Sequence, residues 1–184
     1  GNFIYYSSPV QVGALTTWAS VRVGWSHTLA ITTSGTLFTW GQNQFGQLGN
    51  GLSSTTRYSS PVQVGALTDW LSVSGGHYWS LALKTDGTVW AWGANAVGQL
   101  GVGTALNKSS PVKVGALTTW ASVTTGKYHS AALKTDGTLW TWGFNTKGQC
   151  GLGTAANTSS PQQVGARTDW FASLCQDGEA SLVV

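Results

Sequence analysis

Apolar residues recur at alternate positions in short runs, as at Val21 and Val23, Leu29 and Ile31, and Val10 and Val12. A period of two is that of a strand with one face buried. The first unit of the chain therefore reads as four strands, around Trp18 to Val23, Trp25 to Thr32, Thr36 to Trp40 and Pro9 to Val12. Between two such runs stand Thr33, Ser34 and Gly35, and Thr-Asp-Gly follows at 85 to 87 and 135 to 137. Glycine after a turn-forming residue is what a tight hairpin requires, so Asp86 and Asp136 have a structural role.

The pattern is copied along the chain. Pro9, Pro61, Pro111 and Pro161 each follow two serines, at spacings of 52, 50 and 50, and Trp18, Trp70, Trp120 and Trp170 keep the same intervals. The two extra residues of the first interval fall in a Ser/Thr-rich loop between Gly51 and Ser59. Four-stranded units of this length stacked around an axis are the signature of a β-propeller. The expected fold is thus all-β, a β-propeller of about four four-stranded blades in a single domain over 1-184. Its repeat units are about 13-64, 65-114 and 115-164, and a composite blade is built from 165-184 and 1-12.

Composition strengthens the all-β reading. Charged residues make up 8% of the chain, against roughly 25% in an ordinary globular protein, and there are 25 glycines, 11 tryptophans and no methionine. Helices would lack a polar face and be broken by so much glycine. The formal charge of +3 is spread thinly from Arg22 to Arg167 with no basic run, so nucleic acid is not an expected partner. No apolar stretch approaches the roughly 20 residues of a membrane-spanning helix.

Gly24, His27, Trp40, Gly41, Asn43, Gly46, Gln47, Leu48, Gly49 and Gly51, with further copies from Gly76 and Gly126, form a pattern similar to the repeat of the regulator of chromosome condensation family. The resemblance covers essentially the whole chain and implies a propeller. Because that family includes exchange factors for a small GTPase and secreted propellers that inhibit an enzyme, it also implies a protein-binding surface.

The two ends of the chain are complementary. Gly1, Asn2, Phe3, Ile4, Tyr5 and Tyr6 align with the third strand of a blade, while Ser181, Leu182, Val183 and Val184 end a segment that aligns with the second. Their pairing would close a ring within one chain, or join chains by donor-strand addition. Cys150 and Cys175 each replace a different residue type of the repeat, and they pair as a disulfide or remain two buried thiols.

Candidate chemistry is sparse. Aligning second strands puts His27, Trp79, His129 and Glu179 at one level of the axis, with the histidines opposite each other. His and Glu are metal-ligand types, yet the resembling repeat carries histidine here for packing and hydrogen bonding, so neither metal nor cofactor is assigned. Trp40, Trp92 and Trp142 follow the repeat, whereas Trp25, Trp79 and Trp90 stand outside it and serve either core packing or a partner surface. No Gly-x-Ser-x-Gly elbow or paired carboxylates suggest an enzyme. Asn107 and Asn157 lie in glycosylation sequences, which matter only in a eukaryotic secretory pathway.

The expected function is a noncatalytic structural or assembly subunit, a homo-oligomer or filament at an extracellular or particle surface. The alternative is a module that binds a protein or glycan partner as adhesin, inhibitor or regulator.

Overall fold

The computed structural model describes residues 8–171. Residues 1–7 and 172–184 hold both pairing segments of the expected closure, together with Cys175 and Glu179, so those expectations lie outside the described residues.

Twelve strands form three antiparallel meanders. The first blade holds β1 (Trp18–Val23), β2 (His27–Thr32), β3 (Leu37–Asn43) and β4 (Ser54–Gln63). The second holds β5 (Trp70–Gly75), β6 (Trp79–Lys84), β7 (Val89–Gly93) and β8 (Lys108–Lys113). The third holds β9 (Trp120–Thr125), β10 (His129–Lys134), β11 (Leu139–Gly143) and β12 (Thr158–Gln163). Neighbouring strands pair in sequence order within each blade, matching the expected four-stranded unit.

Two boundaries differ from the sequence reading. β2 begins at His27, because Gly24, Trp25 and Ser26 form the connection from β1 and the Gly24 amide already bonds the His27 carbonyl at 2.8 Å. The Ser-Ser-Pro segment closes the preceding blade as its outermost strand, as in β4, β8 and β12. Residues 9–12, the first copy, carry no strand pairing among the described residues.

The hairpins between second and third strands are built as the turn chemistry demands. Gly35, Gly87 and Gly137 have φ of 76°, 74° and 76°, a left-handed conformation that glycine adopts without strain. In the second and third blades an aspartate also holds the turn by accepting from the threonine that precedes the third strand. Asp86 Oδ1 accepts the Thr88 amide at 3.0 Å and hydroxyl at 2.6 Å, and Asp136 does the same for Thr138.

Each blade buries one face against the next. Leu29, Ile31, Leu37 and Val64 of the first blade pack on Trp70, Val73, Ala82 and Trp92 of the second. Leu81, Leu83, Val89 and Leu100 then pack on Trp120, Val123, Ala132 and Trp142 of the third. The seam is also hydrogen-bonded: the buried carbonyl of Gln47 accepts both Trp92 Nε1 and Ser80 Oγ at 2.9 Å. One repeat on, the Gln99 carbonyl accepts Trp142 Nε1 at 3.0 Å and Ser130 Oγ at 2.6 Å. Gly49 and Gly101 complete the fit, since a Cβ on either would meet the indole nitrogen of the next blade at 2.8 and 2.6 Å.

This clamp is directly testable. Trp92→Phe keeps most of the buried ring but removes one of the two donors to Gln47. It should cost about 1–3 kcal/mol, read as a lower urea midpoint with an unchanged slope.

Candidate functional site

His27, Trp79 and His129 open the second strands of the three blades, and Glu179 lies outside the described residues. His27 is buried, with Nε2 2.9 Å from Ser80 Oγ of the second blade. Ser80 spends its proton on the Gln47 carbonyl, so His27 Nε2–H is the donor to Ser80 and the ring is the neutral Nε2–H tautomer. Trp79 is fully buried between the second and third blades, and His129 stands on the third blade, separated from His27 by the second. Among the described residues no three His, Cys, Asp or Glu side chains converge as a metal site.

Burial lowers the His27 pKa to about 4 and lowers that of His129 in the same direction. An unfolded histidine takes up its proton near pH 6.5, so the native state binds fewer protons between there and pH 4. Stability contributed by neutral His27 is therefore complete above that window and falls as pH falls through it, by up to roughly 3 kcal/mol. His27→Gln keeps a donor for Ser80 and should reduce the loss of urea resistance between pH 7 and pH 4, leaving the share due to His129.

Cys150 fills the place of Leu48 and Leu100, and its amide bonds Asn145 Oδ1 at 2.9 Å. It forms no disulfide among the described residues, and burial raises its thiol pKa. Of the three tryptophans set apart in the sequence, Trp90 proves periodic after all. It meets Trp70 edge-on as Phe38 does Trp18 and Trp140 does Trp120. Trp25 is the exception, 76% exposed.

Trp25 begins an aromatic ladder along one rim of the blades. This rim is formed by the connections from first to second strands and from third to fourth. Trp25 meets His77 edge-on at 4.9 Å, and its amide bonds the Gly76 carbonyl across the seam at 3.2 Å. His77 stacks on Tyr78 at 4.2 Å and 15°, and Tyr78 leans on Phe45 at 5.1 Å. His77 also reaches the third blade, with Nδ1 3.1 Å from Tyr128 Oη, and Tyr128 continues to Phe144 at 6.1 Å. Lys127 lies 5.4 Å over the Tyr128 ring. Burial, then the Lys127 charge, hold the His77 pKa below its usual value.

The sequence reading singled out Trp25 but not His77, Tyr78 or Tyr128. A signal was present: between the near-constant seam glycines and second strands, the pairs Trp25-Ser26, His77-Tyr78 and Lys127-Tyr128 change from unit to unit. A separate groove of about 350 Å³ between the first two blades is lined by residues such as Val64, Leu67, Trp70 and Trp90, with no titratable group.

Stacked antiparallel meanders, joined by a loop carbonyl clamped in the next blade, define a β-propeller repeat protein. The chain belongs to the Regulator of chromosome condensation (RCC1) repeat family, whose repeat matches residues 34–83, 86–133 and 136–171. It is 38% identical over 90 residues to the ultraviolet-B receptor UVR8 of Arabidopsis thaliana, covering 48% of this chain and 20% of that protein. It is 44% identical over 80 residues to human protein RCC2, covering 42% and 15%. Among solved structures, human WBSCR16 superposes with a TM-score of 0.79 at 26% identity, over 90% of this chain and 45% of that one. Prp20p from Saccharomyces cerevisiae gives 0.75 at 25% identity, over 83% and 39%. The chain thus spans less than half the length of each of these relatives.

Proposed function

We propose that this chain is a noncatalytic protein-interaction module that engages its partner through the aromatic rim. The observation that carries this reading is Trp25, a large apolar side chain left exposed yet held in place by His77 and by a backbone bond to the second blade. Exposed, rigidly supported aromatics contribute disproportionately to protein interfaces, because little side-chain entropy is lost on binding. Relatives support an interaction role: yeast Prp20p is described with binding properties to Gsp1p and histones, and with Kap60 bound. Among the described residues no carboxylate stands beside His77 or Lys127 for acid–base work, since Asp69, Asp86, Asp136 and Asp169 lie at the other end of the blades.

Trp25→Ala tests the reading. With so much of the ring in solvent, the change should move folding stability by no more than about 0.5 kcal/mol. Peptides selected on the wild-type chain from a random display library should bind this variant at least about tenfold more weakly. Undiminished binding by a folded variant sinks the reading.

Self-association is a second reading, favoured by an exposed valine on the first blade. Val21 is 53% exposed, whereas its equivalents Val73 and Val123 are 4% and 8% exposed against a preceding blade. If copies join through this face, the sedimentation coefficient should rise with concentration and Val21→Lys should abolish the rise. A constant monomer value excludes it.

A further inference from the structure

We infer that the groove between the first two blades takes a neutral sugar, a mono- or disaccharide. The groove is separate from the aromatic rim, and the two stand independently. Its volume of about 350 Å³ lies at the small end of the roughly 300–1,000 Å³ typical of ligand sites. Val64 and Trp70 are buried parts of the lining, Leu67 is exposed and Trp90 is half-buried. Trp90 is held from within its own blade: Nε1 donates to Thr88 Oγ1 at 2.9 Å, and Lys84 Nζ stands 4.6 Å over the ring. An indole fixed in this way offers hydrocarbon surface at little entropic cost on binding.

Three polar side chains add directed groups to that surface. Asn50 Oδ1 accepts Asn43 Nδ2 at 3.0 Å and the Leu52 amide at 3.1 Å, which fixes the side-chain amide and leaves Nδ2 an unused donor among the described residues. Gln63 donates Nε2 to the Gly65 carbonyl at 2.9 Å and keeps Oε1 as an acceptor. The Ser110 hydroxyl lies across the seam from Gly51, where a Cβ would meet its oxygen at 3.8 Å, and a hydroxyl both donates and accepts. Building a seam does not require the two amides. In the next seam the equivalents of Asn50 and Gln63 are Val102, which packs on the core, and Lys113.

These groups choose the class of ligand. An ion would enter a groove whose lining holds no charge to pair with it. A wholly apolar ligand would cover Asn50 Nδ2 and the Ser110 hydroxyl without satisfying them. A peptide docks on β structure chiefly through main-chain bonds, but the backbone here is already committed. The Gly51 amide donates to the Ser109 carbonyl at 2.9 Å, the Ser109 hydroxyl to the Gly51 carbonyl at 3.2 Å, and the Val64 amide to the Leu37 carbonyl at 2.9 Å. A sugar fits all three conditions: its ring C–H groups pack on the indole and Leu67, while its hydroxyls donate to Gln63 Oε1 and accept from Asn50 Nδ2.

The test is saturation-transfer difference NMR of the full chain with cellobiose, maltose, lactose and N,N′-diacetylchitobiose, followed by titration of the tryptophan fluorescence with each sugar that gives a signal. At least one should bind, and Gln63→Lys with Ser110→Ala should weaken that binding at least about tenfold. Trp90→Phe should weaken it too, and the fold accommodates this change because Phe38 fills the same place in the first blade. Trp25→Ala, outside the groove, should leave sugar binding unchanged, with circular dichroism confirming that each variant folds. No transfer to any of these sugars overturns the inference, as does binding that survives both groove variants. Loss of binding through Trp25→Ala places the sugar on the rim and overturns it as well. Stronger transfer to capped tetra-alanine overturns it in favour of a peptide. Failure here leaves the interaction reading standing, since that reading is decided by the display-selected peptides.

Discussion

One peptide carbonyl per blade carries the assembly. Gln47 and Gln99 present a buried oxygen to the following blade, where an indole N–H and a serine hydroxyl converge on it. A four-stranded sheet alone leaves both faces wet, so stability has to come from its neighbours. Apolar packing supplies the attraction, but it is not directional. The two bonds to one oxygen fix how far one blade is rotated and shifted on the next, and an unmet carbonyl there would cost the desolvation of a buried polar group.

The long motif between third and fourth strands makes sense as the means of placing that oxygen. Asn95 Oδ1 accepts the Leu100 amide while its Nδ2 donates to the carbonyls of Thr104 and Leu106, tying the loop's start to its end. Gln99 Oε1 accepts the Val97 amide, so the side chain supports the turn while the backbone carbonyl serves the seam. Gly101 must lack a Cβ because the indole lies against it. Asn145 and Gln149 build the same loop in the third blade. The recurring residues are thus committed to geometry, whereas the two positions that follow each seam glycine change from unit to unit.

That division explains what was legible in the sequence. Period-two patterning and Thr-Asp-Gly turns located the strands, because strand faces and hairpin conformations are local properties. The repeat of tryptophans foretold the stacking of blades. The equivalence of His27, Trp79 and His129 as first residues of second strands was also readable, but not the partner of each side chain: that depends on the neighbouring blade, which supplies Ser80 to His27. Trp90 looked irregular because its equivalents are Phe38 and Trp140, different residue types filling one packing site. His77 and Tyr128 are 51 residues apart and meet only through the seam rotation, so no local pattern joins them.

The gathering of the described acids at the hairpin end has a structural origin that does not require selection for binding. Asp86 and Asp136 are present because their carboxylates complete hairpin turns, and those turns always fall at the end of the blade opposite the rim. Lys84 is half of a pair with Asp69 and lies 4.8 Å over Trp70 and 4.6 Å over Trp90, so it too is fixed by packing. Copying such a unit repeats the same paired charges at that end, so the described acids gather there through turn chemistry and packing.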